Sequence, residues 1–128
     1  MTRPRFDEHS TEFAKWIRSQ KDIDSYLGYR GYNLDFIWWL KKGFEKEPEF
    51  WMLIEEKRYM SSCRSDQALT YDWLHEKITR LNDPTYKGFH LLQFENTSPE
   101  DGKIFLNKKE ITMPQLLAFL RFEHWGIV

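Results

Sequence analysis

The stretch Phe50-Trp51-Met52-Leu53-Ile54-Glu55-Glu56-Lys57 decides the fold. Five consecutive apolar residues running into two acids and a lysine read as a strand over residues 50–59, central in its sheet and buried on both faces. Working back, Asn33-Leu34-Asp35-Phe36-Ile37-Trp38-Trp39 carries a lone carboxylate in a second apolar run. Residues 33–40 therefore form the preceding strand, also apolar on both faces, and the Trp-rich part reads as core more readily than as a base-stacking platform. Acids buried in such runs are costly unless something compensates them.

Outward from these two strands the order is α, two or three strands, α, two strands, α. Residues 7–22 have helical spacing at Phe13, Trp16, Ile17 and Gln20, with Asp7 or Ser10 as N-cap. Tyr26 to Tyr32 is rich in Gly and Tyr and holds either a short strand or a loop. A helix over residues 66–81 presents an inward stripe of Gln67, Tyr71, Leu74, Ile78 and Leu81, and Asn82-Asp83-Pro84 stops it. Residues 88–95 read as a strand, 96–102 as a loop and 103–106 as a strand, hairpinned back through Asn107-Lys108-Lys109-Glu110. Thr112-Met113-Pro114-Gln115 is a capping box opening a last helix through Leu116, Leu117, Leu120 and Trp125 to Gly126. The fold class is mixed α/β: one domain over residues 1–128, a central mixed sheet flanked by helices.

On a strand Glu55 and Lys57 share a face and Glu56 takes the other. Asp35 on a neighbouring strand can bring its carboxylate beside Glu55. Two carboxylates brought together repel, and a hard cation removes that penalty, so the pair calls for Mg²⁺ or Mn²⁺ with waters. A lysine two residues from the ligand can orient an attacking water or steady charge on phosphorus. Gln67 and Tyr71, one helical turn apart, stand at the head of the stripe, where Gln67 breaks the apolar rule.

In this order the residues resemble the PD-(D/E)XK nuclease signature, with Gln67 and Tyr71 similar to the QxxxY extension of its RecB-like members. The resemblance covers residues 7–81 and implies a restriction-endonuclease-like core. It implies Asp35 and Glu55 as metal ligands, Lys57 as the residue assisting the water, and Glu12 on the first helix as a further ligand. Leu34 stands where the pattern has proline. The implied activity is metal-dependent hydrolysis of DNA phosphodiester bonds. The implied roles of Gln67 and Tyr71 are to brace the site or contact the phosphate backbone.

Blander readings stand beside each residue. Asp35 could pair with Arg30 or Lys57, and Lys57 could be an exposed partner of Glu55. Gln67 could serve a free N–H in the first helical turn, Tyr71 the core and Glu12 the surface. The rival function is a catalytically lapsed module of the same fold in a larger nucleic-acid-processing assembly. An RNA-directed nuclease of like mechanism is a third.

Composition bounds these readings. The net charge is −1 and the pI about 6.4, which counts against tight DNA binding by a lone monomer and leaves room for a homodimer or a partner subunit. Lys41-Lys42, Lys57-Arg58 with Arg64, and Lys108-Lys109 are local basic clusters. No apolar run exceeds five residues, so no membrane span is expected. Met1–Arg5 is charged with no apolar segment after it, so no secretory signal is expected. Cys63 is the sole cysteine, which excludes thiolate zinc clusters and fits a reducing cytoplasm. His9, His75, His90 and His124 form no zinc motif, and Gly28 and Gly31 form no phosphate loop.

Overall fold

The computed structural model describes residues 12–28, 32–43 and 49–123. The chain divides between Tyr32 and Asn33 into two compact units.

The described part of the first unit holds helix α1 (Glu12–Ser19) and two 3₁₀ turns, Lys21–Ile23 and Ser25–Leu27. Phe13 and Trp16, one turn apart, stack with ring centroids 6.1 Å apart. The helix stops three residues short of its expected end. Ser19 Oγ donates to the Trp16 carbonyl at 2.6 Å and Gln20 N–H bonds the Ile17 carbonyl at 3.0 Å, which tightens the last turn. Asp7 and Ser10, the expected caps, lie outside the described residues. No strand forms among the described residues of Tyr26–Tyr32.

The second unit is built on a five-stranded sheet in the order β1 (Phe36–Leu40), β2 (Phe50–Lys57), β3 (Tyr86–Phe94), β4 (Ile104–Leu106), β5 (Lys109–Ile111). Strand β1 is antiparallel to β2, β2 parallel to β3, and the rest antiparallel. The parallel pair needs a crossover, supplied by helix α2 (Ser65–Thr79). Helix α3 (Met113–Leu120) follows β5. The architecture is a small mixed sheet with helices, an α/β fold.

Alternation along the strands assigns the two faces. Met52 and Ile54 join Leu92, Phe94, Ile104, Leu106 and Ile111 in the core that Leu116 and Phe119 of α3 complete. His90 meets the Phe119 ring edge-on at 5.0 Å on that face. Its neighbour Phe89 points the opposite way and meets Tyr71 of α2 edge-on at 4.8 Å. Each face of β3 thus carries a helix. Strand β2, between β1 and β3, is buried from Met52 to Glu55, as its apolar run requires.

Several local devices follow the residue chemistry. Thr112 Oγ1 accepts from Gln115 N–H at 3.2 Å while Gln115 Oε1 accepts from Thr112 N–H at 2.8 Å, the reciprocal cap expected from the sequence. Asn107 and Lys108, at φ of 51° and 71°, turn β4 into β5. Gly88 has φ of +97° beside the register shift between Trp51 and Leu53. A Cβ there would also come 3.2 Å from His90 Nε2, so glycine serves both backbone and packing.

Three expectations are corrected. Strand β1 is an edge strand paired only with β2, and Ile37 and Trp39 are 70% and 55% exposed. An apolar pattern on both faces does not distinguish an interior strand from an edge whose outer face is left bare. Leu81 falls beyond α2 and is 75% exposed, because Asn82 at φ of 54° turns the chain away before the stripe is complete. Helix α3 ends at Leu120, with Phe122 at φ of 59°, short of the expected Gly126. Trp125 and Gly126 lie outside the described residues. No helix among the described residues is long and apolar enough to cross a membrane.

Candidate catalytic and metal-binding site

Strand β1 begins at Phe36 because the residue before it is held by side chains rather than by the ladder. Asp35 N–H donates to Glu55 Oε1 at 3.2 Å, and Glu56 N–H donates to Asp35 Oδ2 at 2.8 Å. These two bonds extend the antiparallel alignment one step past Phe36↔Ile54, which sets Asp35 across from Glu55. Directly opposed residues have Cβ atoms about 4.5–5.5 Å apart, so two carboxylates meet at the end of the β1–β2 pair.

Glu55 is 3% exposed. Burial raises its pKa above the ordinary carboxylate value, and the neighbouring Asp35 charge raises it further. The Asp35 N–H bond and Lys57 oppose that shift. Lys57 Nζ lies 3.5 Å from Glu55 Oε2 and donates to Gln67 Oε1 at 3.3 Å. Glu56 points to the other face, where it pairs with Arg58 at 3.6 Å. The register therefore puts Glu55, and not Glu56, beside Asp35.

Helix α2 supplies the lid of this cluster. Gln67 Nε2 donates to Glu55 Oε2 at 3.3 Å and to Tyr71 Oη at 2.9 Å. Tyr71 Oη in turn donates to the Asn33 carbonyl. Gln67 thus satisfies an acid, a lysine and a phenol at once, which explains a glutamine at the head of an apolar stripe. Tyr71 pins the segment that delivers Asp35. Burial and the charge of Glu55 push the Tyr71 phenol well above its ordinary pKa, so it stays a proton donor.

The fold therefore brings Asp35, Glu55, Lys57, Gln67 and Tyr71 together. Glu12 stands on α1 in the other unit, exposed and 3.8 Å from Lys15. Two neighbours escaped sequence reasoning. Gln93 is paired in register with Lys57, is 3% exposed, and its Nε2 donates to the Ser61 carbonyl at 2.9 Å. It anchors the loop between β2 and α2. The signal was present: a polar residue inside Leu91-Leu92-Gln93-Phe94, the same anomaly that singles out Asp35. Cys63 sits on that loop. Burial raises its thiol pKa, and Lys57, Glu55 and Asp35 are near enough to perturb it.

Among the described residues, no three or more His, Cys, Asp or Glu side chains gather as a metal cage. The donor set at the site is the pair Asp35 and Glu55. That set suits Mg²⁺, which keeps several waters and takes one or two carboxylates plus substrate phosphate rather than an all-protein shell. The buried Glu55 beside the exposed Asp35 gives the cation like charges to neutralise. Comparison with protein-family models, curated proteins and solved structures finds no match, so the class of protein must be argued from the site.

Proposed function

We propose that this chain is a Mg²⁺- or Mn²⁺-dependent nuclease that hydrolyses DNA phosphodiester bonds on a restriction-endonuclease-like core. One observation carries the reading: Asp35 N–H donates to the Glu55 carboxylate and the Asp35 carboxylate accepts from Glu56 N–H, which sets two acids twenty positions apart side by side, with Lys57 Nζ 3.5 Å from Glu55. A purely structural acid pair would more simply be avoided, because a second carboxylate set beside the buried Glu55 raises the energy of the empty protein.

Asp35 and Glu55 would hold the cation, which when bound acidifies water and neutralises phosphate charge. Lys57 presents N–H donors on the same face, suited to orienting the attacking water and to charge growing on the phosphoryl oxygens. Gln67 holds the Lys57 ammonium and the Glu55 carboxylate in fixed relation, so neither must reorganise during the reaction. Tyr71 keeps Asp35 in place through Asn33. In the balanced reaction, the water oxygen bonds to phosphorus as one ester P–O bond breaks. The water's proton leaves with the departing sugar oxygen or to solvent.

The test is cleavage of linear, circular and branched DNA with Mn²⁺ by wild type, Asp35→Ala and Lys57→Ala. Loss of a chemical contributor of this kind is expected to cost about 10²-fold or more in rate. Equal cleavage by all three proteins would assign any activity to a contaminant and end the proposal.

A further inference from the structure

Beside the clasped carboxylates, on the same sheet face, lies a bare aromatic surface. Asp35, Ile37 and Trp39 alternate onto one side of β1, and Ile37 and Trp39 stand opposite Leu53 and Trp51 of β2. Ile37, Trp39, Glu49 and Trp51 line an open cleft of about 530 Å³. Both indoles are held: Trp39 Nε1 donates to Glu49 Oε2 at 2.8 Å, and Trp51 Nε1 to Asp83 Oδ2 at 3.4 Å. Trp51 also packs against Tyr86, with ring centroids 4.7 Å apart. An exposed aromatic ring held in place loses little freedom when a flat ligand stacks on it, which suits recognition.

We infer that the Trp39 cleft stacks unpaired bases of a single-stranded segment whose phosphates run past Asp35, Glu55 and Lys57. The inference deepens the nuclease reading, on which it rests for the polyanion, and names its substrate class. Three features select nucleic acid. The cleft and the carboxylate site share one face of one strand pair, Trp39 lying roughly 13 Å from Asp35 at about 3.3 Å per residue. Lysines lie at both ends of that path: Lys57 at the site, and the exposed Lys41 and Lys42 just past β1. The acids at this end, Glu49 and Asp83, accept the two indole N–H groups and keep their charge, so the cleft suits a neutral base face and leaves the phosphates to the lysines. A stacked base offers its face to any aromatic ring, so this surface reads single-strandedness rather than sequence. A duplex keeps its bases stacked on one another and cannot use it.

The experiment measures fluorescence anisotropy of a fluorescein-labelled oligodeoxythymidylate and of a duplex of equal length, in EDTA so that nothing is cleaved. Wild type is expected to bind the single strand more tightly than the duplex and to lose tryptophan fluorescence on doing so. Trp39→Ala should weaken single-strand binding by about 5- to 100-fold and leave the duplex unchanged, while Trp39→Phe recovers most of the affinity. Equal binding by wild type and Trp39→Ala overturns the inference, as does an equal loss for both DNA forms. So does a wild-type dimer in sedimentation velocity that Trp39→Ala converts to monomer, which would give the surface to a second copy of the chain. Cleavage assays separate the two readings. Trp39-dependent single-strand binding without Lys57-dependent cleavage removes the nuclease and keeps the cleft. Lys57-dependent cleavage of single strands at equal rates by wild type and Trp39→Ala does the reverse.

Discussion

Replacing Gln67 with leucine tests the bracing of the site without touching a charged residue. The substitution removes two donated bonds, to Glu55 and Tyr71, and one accepted from Lys57. Hydrogen bonds to charged groups contribute about 1.5–3 kcal/mol and neutral ones about 1 kcal/mol. The two charged contacts are both 3.3 Å long, so the low end applies and the gross loss is about 4 kcal/mol. Burying a leucine side chain returns about 2 kcal/mol. The net cost is about 2 kcal/mol, which lowers the melting temperature by roughly 8–16 °C in a unit of this size. Thermal melts followed by circular dichroism read this directly, with urea unfolding to give the free energy. Leu69→Ala, on the exposed side of the same helix, serves as control and should change stability by under about 0.5 kcal/mol beyond helix propensity. A double-mutant cycle with Tyr71→Phe should show a coupling of at least about 0.5 kcal/mol. If Gln67→Leu melts within a couple of degrees of wild type, about the resolution of the comparison, the network does not hold the site as described.

Other consequences are as direct. The Glu55 pKa is raised in the folded state, so its contribution to stability is fully present below the unfolded carboxylate value near 4.5. That contribution is lost as pH rises through the folded pKa. Urea unfolding from pH 4 upward should show it, and Glu55→Gln should flatten that part of the profile. An unchanged slope would mean Glu55 does not titrate as described. Mn²⁺ at about a hundred times its dissociation constant should stabilise the protein by about 2.7 kcal/mol, with Asp35→Ala abolishing the gain. A thermal shift that survives Asp35→Ala would place the ion elsewhere. Cys63 should react with iodoacetamide more slowly than a free thiol at pH 8, its rate still rising where a free thiol has levelled off, because burial raises its pKa. Rapid alkylation at neutral pH would contradict that placement.

The elements legible in the sequence were those with local physical causes. Thr112 and Gln115 announce their cap because both partners lie within one helical turn. The hairpin at Asn107-Lys108 is a matter of which residues tolerate positive φ. Met52 to Glu55 is buried as its composition demands, since a run apolar on both faces is most cheaply satisfied between two strands. Gln67 and Tyr71 were visible through their spacing, as the helix period alone sets them on one side. Gln93 stands out in the sequence as a polar residue in an apolar run, but its role does not, because its partner, the Ser61 carbonyl, is thirty-two residues away and backbone atoms leave no trace in a sequence.

By itself, then, the order of residues determined which segments become strands and helices, and that Glu55 and Lys57 share a face opposite Glu56. Those are consequences of backbone period and side-chain polarity within a few positions. Only the tertiary structure decided that β1 is an edge with Ile37 and Trp39 bare, that Leu81 is shed from the stripe of α2, and that Asp35 meets Glu55 through its own N–H and that of Glu56. Each depends on which elements become neighbours. Neighbour choice is set by the packing of the whole unit, where the burial of one strand is obtained by leaving another at the rim.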